Sequence, residues 1–311
     1  MSPAARLDVR KTYKLFIAGA FPRSESGRSY QVRDAKDRFW ANAAAGSRKD
    51  ARDAVTAARK AQGPWAAATA YNRGQVLYRV AEIMQGRAEQ LADEVARGEG
   101  LRRPSARAVV SAAIDRWVWY AGWTDKIAQV ASAVNPVAGP FWSVSSPEPT
   151  GVVAVLAPRE SSLLGLVSVL APVLVSGNAA VVVASGTRPV PSISLAEILA
   201  TSDVPGGVVN ILTGRLSDLA PTLAAHADVN AIDLTGAVRW ADQRPDPDAG
   251  HDAEPDPDEV TPSALEASAA GTLKRVLRPP GSEPDWSAPP SGPQRILRFT
   301  ETKTVWHPRG T

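Results

Sequence analysis

The stretch that most constrains the fold runs from residue 150 to 185 and reads TGVVAVLAPRESSLLGLVSVLAPVLVSGNAAVVVAS. It predicts a strand over 151–156, an apolar helix over about 162–174 and a second strand over 179–184, which together make one βαβ unit. Neither strand shows polar alternation, and the second consists almost wholly of Val and Ala. Strands of that kind are buried on both faces, so the unit indicates a parallel sheet covered by helices on each side.

Helices and strands continue to alternate after this unit. The pattern predicts a helix over 192–200, a strand over 208–212, a helix over 219–226 and a strand over 231–234. This order is typical of a doubly wound α/β sheet. Ligands of such sheets bind beyond the carboxyl ends of the strands, so a nucleotide would lie at the turn Pro158-Arg159-Glu160-Ser161.

The N-terminal part reads as short strands within 13–30 followed by helices. Ser47 and Asp50 fit the two positions of a capping box, which predicts that a helix begins after Ser47. We expect that helix to stop at Gly63-Pro64. Amphipathic patterns predict four helices in all, over 49–62, 70–86, 88–98 and from Pro104 to about Val130. The aromatic cluster of the last helix is interpreted as packing and comprises Trp117, Trp119, Tyr120 and Trp123.

Three segments lie outside the predicted sheet. FWSVSS, within 135–149, is flanked by prolines and reads as an arm that pairs with another strand edge. Residues 242–262 are rich in Pro and acids and are interpreted as a linker or loop, after which 264–277 could form one short helix. Residues 295–306, RILRFTETKTVW, alternate like an exposed strand, which requires a partner edge elsewhere.

The composition excludes several kinds of site. The 311 residues contain no cysteine, which excludes disulfides, thiolate metal sites and a cysteine nucleophile within this sequence. The net charge of +3 is small and no Lys/Arg cluster is interleaved with aromatics, so nucleic-acid binding is not expected. The N-terminus does not resemble a signal peptide, and the longest apolar run is too short to span a bilayer. We therefore expect a soluble cytoplasmic protein with no membrane partner.

A series of short segments, in order and spacing, resembles the N-terminal half of the aldehyde dehydrogenase superfamily over about residues 13–241. The resemblance implies a Rossmann-like domain that binds NAD or NADP. It also implies that FWSVSS and FTETKTVW correspond to the arm and last strand with which these enzymes contact a neighbouring subunit. Between them such enzymes carry a catalytic domain with a cysteine nucleophile and a glutamate base, whereas this chain has the acidic Pro-rich segment. The segments are LFIAGAF, AVTAARKA-GPW, RGQVLYRVAEIM, WYAGWTDKI, EPTGVVAVLAP, APVLVSGNAAVV, VPGGVVNILTG and AAHADVNAIDLTG.

Residues that contact substrate and ribose in that family are replaced here. The family's Pro-Trp-Asn turn, whose Asn helps to stabilise the oxyanion, reads Pro158-Arg159-Glu160, and a carboxylate there would repel a developing oxyanion. The family's lysine that reaches the adenosine ribose falls on Val183, and the nearby glutamate falls on Gly186. The polar hold on the ribose is therefore expected to be lost.

The glycine turns of the family survive in part. The Gly-x-Gly turn keeps Gly214 but has Leu216 at its second glycine. The Phe-Thr-Gly-Ser turn survives as Leu234-Thr235-Gly236-Ala237, while the following Glu and Gly fall on Arg239 and Ala241. We therefore predict only vestigial cofactor positions, which are Pro158, Arg159, Glu160, Val183, Gly186, Gly214, Thr235 and Gly236.

Other polar residues have simpler interpretations. Arg159 and Glu160 could form an acquired acid or anion site, but a solvated pair left after loss of function is favoured. Ser161 and Ser162 are interpreted as helix caps rather than nucleophiles. No metal site is expected, because no second ligand stands at metal spacing from any of the histidines, His226, His251 and His307. His226 fits the C-terminal end of its helix.

These segments divide the chain into five parts and predict an α/β fold. The expected fold is a Rossmann-like doubly wound parallel sheet with N-terminal helices, plus a β oligomerisation arm and a C-terminal strand. The parts are 1–134, the N-terminal strands and helices of the cofactor domain; 135–149, the arm; 150–241, the Rossmann-like sheet; 242–293, a linker that replaces the catalytic domain; and 294–311, the C-terminal oligomerisation strand.

The resulting hypothesis is a truncated pseudoenzyme without catalytic residues, cofactor or metal. Its role would be assembly or regulation, as a homo-oligomer or as a hetero-oligomer with a full-length aldehyde dehydrogenase. Two alternatives stay open. One is a weak NAD- or NADP-binding or sensing module, motivated by Thr235-Gly236 and by the helix N-terminus after Pro158. The other is a residual NAD-dependent oxidoreductase.

Overall fold

The order of elements alternates β and α through the middle of the chain. The computed structural model of the chain describes residues 10–239, 260–282 and 284–310. Within them lie β1 (Thr12–Tyr13), β2 (Ser29–Arg33), β3 (Phe39–Ala44), α1 (Arg48–Ala67), α2 (Ala70–Gly86), α3 (Ala88–Glu99), α4 (Arg103–Ala121), α5 (Ile127–Ala131), β4 (Ala133–Asn135), β5 (Phe141–Pro149), β6 (Val152–Leu156), α6 (Leu164–Val175), β7 (Ala179–Val183), α7 (Val190–Ala200), β8 (Val209–Leu212), α8 (Leu216–Ala225), β9 (Ala231–Asp233), a 3-10 turn (Thr235–Ala237), α9 (Pro262–Ala270), β10 (Arg275–Leu277), α10 (Gln294–Leu297) and β11 (Thr300–Pro308).

A parallel sheet forms the centre of the fold, with the strand order β10-β9-β6-β7-β8. Every residue of β6, α6 and β7 is buried, which confirms the predicted βαβ unit. Along β6, Val153 and Val155 contribute to one apolar core with α2, α4 and α6. Val152 and Leu156 point into a second core with α1 and α8. The two cores explain why the strands lack polar alternation.

Helix α1 begins as predicted but extends further. Both hydrogen bonds of the Ser47 capping box are present. The prediction that the helix stops at Gly63-Pro64 is wrong, because α1 continues to Ala67. Trp65 anchors this last turn: it is buried, and its Nε1 donates to the Leu174 carbonyl oxygen at 3.1 Å. A tertiary contact therefore outweighs the local preference of Pro to interrupt a helix.

The long helix predicted from Pro104 to about Val130 is divided. Helix α4 ends at Ala121, and the Oγ1 of Thr124 donates to the Ala121 carbonyl oxygen at 2.9 Å in the turn that follows. This turn is pressed against α2, where a Cβ on Gly74 would lie 2.6 Å from Thr124 Oγ1. The aromatic cluster packs as predicted, with ring centroids 4.8 Å apart for Trp119 and Tyr120.

The interpretation of 242–293 as a linker is wrong for much of its second half. Residues 242–259 lie outside the described part of the chain. Helix α9 buries Leu265 and Ala269 in the core shared with α8, and β10 pairs in parallel with β9 as the fifth strand of the sheet. The single helix predicted over 264–277 is therefore a helix followed by a strand. A three-residue strand is too short to show any periodicity in the sequence.

Strands β4, β5 and β11 form a separate antiparallel sheet, which we call the arm sheet. The partner edge that the last strand requires is β5 of the same chain, paired from Thr300 opposite Pro149 to Pro308 opposite Phe141. The strand begins later than predicted, because 294–297 form α10, whose Ile296 is buried against α6. The arm sheet is joined to the core at Phe299, whose carbonyl oxygen accepts from Thr150 N and Asn178 Nδ2.

Candidate functional site

The predicted cofactor positions meet at one edge of the central sheet. Pro158, Gly186, Gly214 and Thr235 each follow the carboxyl end of a parallel strand, namely β6, β7, β8 and β9. Because these strands are parallel neighbours, the turns after them lie side by side. The sequence therefore located the edge correctly, and its chemistry depends on the side chains found there.

The turns after β6 and β9 are in direct backbone contact. A Cβ placed on Gly236 would lie 2.1 Å from the Ala157 carbonyl oxygen and 2.7 Å from that of Leu156. Only a residue without a side chain fits that space. The retained Thr235-Gly236 pair is thus required for packing of the two turns, whatever ligand they bind.

Gly214 is also required by packing. It adopts a φ of +136°, a region that favours glycine, and a Cβ there would lie 2.9 Å from Gly46 N. Gly46 N in turn donates to the Thr213 carbonyl oxygen at 2.8 Å. Leu216, two residues later, is buried in the core with α1 and α8. An apolar core residue therefore occupies the position of the family's second glycine.

The turn of Pro158, Arg159 and Glu160 is held by its neighbours in the β7–α7 loop. Arg159 and Glu160 are half-buried. Ser185 Oγ donates to the Arg159 carbonyl oxygen at 2.8 Å, and Arg188 Nη1 donates to that of Glu160 at 2.5 Å. The backbone of the turn is thereby fixed from the side on which a ribose would lie.

Glu99 holds the other side of the same turn and was missed by sequence reasoning. Its Oε1 accepts from both the backbone N and the Oγ of Ser162, each at 2.7 Å. Burial raises the pKa of the Glu99 carboxyl, although the Ser162 hydrogen bonds and the charge of Arg188 act in the opposite direction. Ser161 Oγ accepts from Gly165 N at 2.9 Å in the first turn of α6, as predicted for a cap. The same prediction is wrong for Ser162, because its hydroxyl donates to Glu99 and the N-cap position of α6 is Leu163. The Glu99-Gly100 pair at the end of α3 gives no indication in the sequence of a contact with Ser162.

The two positions that the resemblance predicts as ribose contacts carry no polar side chain. Val183 is buried in β7 opposite Leu156, and Gly186 has no side chain to offer. A dinucleotide requires a polar hold on its ribose as well as close backbone approach to its pyrophosphate. The residues present therefore do not fit a firmly held NAD or NADP.

A buried ion pair, which the sequence did not suggest, ties the C-terminal segment to this edge. The Asp233 side chain is fully buried at the end of β9 and pairs with the guanidinium of Arg295. The other oxygen of Asp233 accepts from Thr235 N at 3.0 Å and from Thr235 Oγ1 at 2.5 Å, and Arg295 also donates to Thr235 Oγ1 at 3.0 Å. We call these three residues the Arg295 latch.

A second arginine fastens the chain just before this latch. Arg116 of α4 is buried and donates to the carbonyl oxygens of Trp286 and Ala288, at 2.9 and 2.8 Å. It also donates to Ser168 Oγ of α6 at 2.6 Å. Burial lowers the pKa of the Arg116 guanidinium, which stays charged because its ordinary pKa is so high. The two arginines together hold 284–299 against the core.

The histidines do not form a reactive centre. His226 caps α8 and its Nδ1 accepts from Asp228 N at 3.1 Å, so its role is structural. His307 is exposed on β11, and His251 lies outside the described residues. Over 10–239, 260–282 and 284–310, no group of three His, Asp or Glu residues is placed to hold a metal ion. Among the helices of those same residues, none is long and apolar enough to cross a membrane.

Comparison with known proteins places this edge in context. A profile of the aldehyde dehydrogenase family matches residues 21–243. The mouse cytosolic 10-formyltetrahydrofolate dehydrogenase is 30% identical over 238 residues, covering 75% of this chain and 26% of that protein. The α-ketoglutaric semialdehyde dehydrogenase of Bacillus subtilis is 31% identical over 234 residues, covering 73% of this chain and 47% of that protein. The chain thus spans between a quarter and a half of the length of these relatives.

Solved structures extend the likeness beyond the profile. HpcC from Thermus thermophilus superimposes with a TM-score of 0.75 at 26% identity, over 86% of this chain and 47% of that one. The NAD+ complex of an aldehyde dehydrogenase from Bacillus cereus gives 0.74 at 24% identity, over 86% and 50%, and shows likeness of fold alone. Both structures confirm the α/β fold with a Rossmann-like sheet that the sequence predicted, and the family profile and the relatives confirm the resemblance.

Proposed function

The chain belongs to the aldehyde dehydrogenase family, and we propose that it is a catalytically inactive member that acts as an assembly or regulatory subunit. A thiohemiacetal requires a thiolate nucleophile, and the 311 residues contain no cysteine. The positions that would contact the ribose carry Val183 and Gly186. What remains well formed is the scaffold and the arm sheet.

The observation that carries the proposal is an exposed apolar stripe across the arm sheet. Val134 of β4, Val144 of β5 and Val305 of β11 stand directly opposite one another in register. They are 65%, 42% and 51% exposed, and Trp142 beside them is 50% exposed. We call these four residues the arm face. Contiguous apolar side chains on a surface mark interaction sites, because burying them removes their contact with water.

The backbone of the arm sheet supports the same role. Within the described part of the chain, β11 pairs only with β5, so its outer edge presents free donors and acceptors. Such an edge pairs readily with another strand. A stripe of valines is self-complementary, which suits a two-fold contact with a second copy, and suits equally the corresponding surface of a full-length aldehyde dehydrogenase.

Point variants test the proposal better than removal of the tail, since deleting 295–311 would also remove the buried Ile296 and Phe299. In Val305→Lys, a charge enters the arm face on its edge strand, β11. The matched control is Thr302→Lys, which places the same charge on the same strand but on the other face of the sheet. Light scattering after size exclusion should show an assembly for the native chain and Thr302→Lys, and its loss in Val305→Lys.

The partner is identified by the same assay. The chain is measured alone and after mixing with a full-length aldehyde dehydrogenase of the same organism. An assembly of the chain alone identifies a homo-oligomer, and a mixed species identifies a hetero-oligomer. A native chain that is monomeric in both conditions, or an assembly that Val305→Lys leaves unchanged, would contradict the proposal. The cytoplasm remains the expected location, which the word cytosolic in the names of some relatives supports.

Weak binding of NAD or NADP is the second candidate function. The turns after β6 and β9 keep their close backbone approach, as required beside a pyrophosphate, and one structural neighbour is described as an NAD+ complex. Calorimetric titration with either nucleotide decides, and absence of heat at millimolar ligand rejects this candidate. Oxidation of an aldehyde by the purified chain would instead support the residual oxidoreductase, for which no nucleophile has been found.

A further inference from the structure

A cavity of about 520 Å³ lies at the opposite edge of the central sheet, at the amino ends of its strands. It opens where β6, β9 and β10 begin, beneath the first residues of β11. Its polar lining comes from Thr150, Asn230, Thr272, Lys274 and Glu301, together with Arg275. The predicted cofactor turns lie at the other edge of the sheet.

Lys274 is a buried cation that has no acidic partner among the residues the structure describes. Only 9% of its surface is exposed. Its Nζ donates to Thr272 Oγ1, and no carboxylate of the described residues lies within 4 Å of it. Burial lowers the pKa of Lys274, and no neighbouring acid offsets that shift. The ammonium group has three N–H donors, and the Thr272 hydroxyl accepts from one of them. A ligand would supply acceptors for the others.

The other charges around the cavity are already paired. Arg275 makes a bidentate pair with Glu301, at 3.0 and 2.6 Å. Arg59 donates to the Asn230 side-chain oxygen at 2.5 Å and lies 3.9 Å from an oxygen of Asp228. Two arginines thus face two acids, and the positive charge left over is that of Lys274. The field inside the cavity favours an anion.

Asn230 provides a further donor. It uses its side-chain oxygen for Val152 N and Arg59, which leaves its amide NH2 as a donor. A buried ammonium and an amide in one cavity match the acceptors of an oxyanion.

We propose that this cavity binds a small metabolite through a phosphate or carboxylate group held by Lys274 and Asn230. The volume suits a compound larger than the free ion, since ligand pockets commonly measure about 300 to 1,000 Å³. Bound there, the ligand would connect α9–β10 and β11, both C-terminal to the matched family region, to the amino edge of the core. The site is independent of the proposed assembly role.

Inorganic phosphate and acetate are the probes, because each supplies the recognised group alone. Each is titrated calorimetrically into the full chain in chloride buffer of matched ionic strength. Lys274→Met removes the charge and keeps the length of the side chain. Its control is Lys303→Met, which removes an exposed lysine of β11 that pairs with Glu148. We expect at least one anion to bind both the native chain and Lys303→Met. Lys274→Met should bind that anion with an affinity at least about tenfold lower, because charge-assisted hydrogen bonds are lost.

Absence of binding to the native chain at millimolar phosphate and acetate would overturn the proposal, as would equal affinity in Lys274→Met. If that variant fails to fold, trace acetylation of the native chain decides, read by mass spectrometry of each lysine. Saturating anion should slow acetylation of Lys274 and leave that of Lys303 unchanged. An unchanged rate at Lys274 would refute the site.

Discussion

Removal of Arg295 should destabilise the chain strongly, because it leaves a buried carboxylate without its cation. Asp233 is fully buried in the Arg295 latch, while 26% of the Arg295 side chain is exposed. Breaking a buried ion pair by removing one partner costs about 3 to 5 kcal/mol. Asp233 keeps its two hydrogen bonds from Thr235, and the arginine is partly solvated in the native state. We therefore expect Arg295→Ala to lower the free energy of unfolding by about 3 kcal/mol, the lower end of that range.

Urea unfolding followed by circular dichroism measures this change, with a matched control in the same region. Arg275 pairs with Glu301 in the same bidentate geometry, but the two side chains are 43% and 52% exposed. Exposed pairs contribute about 0 to 1 kcal/mol, so Arg275→Ala should have little effect. The difference between the two variants therefore isolates burial as the cause.

A double variant separates the pair itself from the loss of packing. Asp233→Asn combined with Arg295→Met removes both charges, keeps an acceptor for Thr235 N and Oγ1, and should recover most of the stability lost in Arg295→Ala, since no unpaired charge stays buried. Equal effects of Arg295→Ala and Arg275→Ala would refute the reasoning. So would a double variant no more stable than Arg295→Ala, because the cost would then come from the lost contacts and not from an unpaired charge.

Two further predictions concern the turns at the carboxyl edge. Gly236→Ala should lower the unfolding free energy by more than about 3 kcal/mol, because its Cβ would lie 2.1 Å from the Ala157 carbonyl oxygen. Gly86→Ala, at the end of α2, meets no atom within 4 Å outside its own helix and chain neighbours and should stabilise by about 0.5 to 1 kcal/mol. Thermal unfolding compares the two variants, and a tolerated Gly236→Ala would show that the turns are not in contact. Burial raises the pKa of Glu99, so the folded state holds the proton of this carboxyl more tightly than the unfolded state does. The contribution of Glu99 to stability should therefore fall as pH rises from the ordinary pKa of a glutamate through the raised pKa of the folded state. Glu99→Gln keeps an acceptor for Ser162 and should show a shallower loss over this window in urea unfolding at stepped pH, and parallel curves for the two proteins would contradict the assignment.

The local sequence pattern was sufficient to predict helices and strands wherever consecutive residues are buried. The apolar runs of β6, α6 and β7 identify the βαβ unit without any tertiary information, and the Ser47 capping box fixes the start of α1. The end of α1 could not be predicted, because it depends on a hydrogen bond from Trp65 to a carbonyl group 109 residues away. Tertiary contacts of that range leave no local trace.

The same limit applied to the candidate site. The sequence located the turns, since strand ends of a parallel sheet fix their common edge. It could not find Glu99, Asp233 or Arg295, because each is an ordinary surface residue by type and becomes functional only through a partner 62 or 63 residues away. The strand β10 was missed for a related reason, since its three residues are recognisable as a strand only beside β9.

The carboxyl edge also shows why glycine turns are poor indicators of cofactor binding in this fold. Gly214 and Gly236 are kept by contacts with Gly46 and Ala157 that exist without any ligand, so selection for folding alone would retain them. Folding does not require a lysine at Val183, because an apolar residue at a buried strand position costs nothing in stability. The lysine that the resemblance places there would be useful only with a nucleotide bound. We propose that loss of binding at this edge begins at the ribose contacts and ends at the glycines, and the replacements predicted at Val183 and Gly186 are consistent with that order. The ribose positions, rather than the glycine turns, are where a working member of the family should be distinguished from an inactive one.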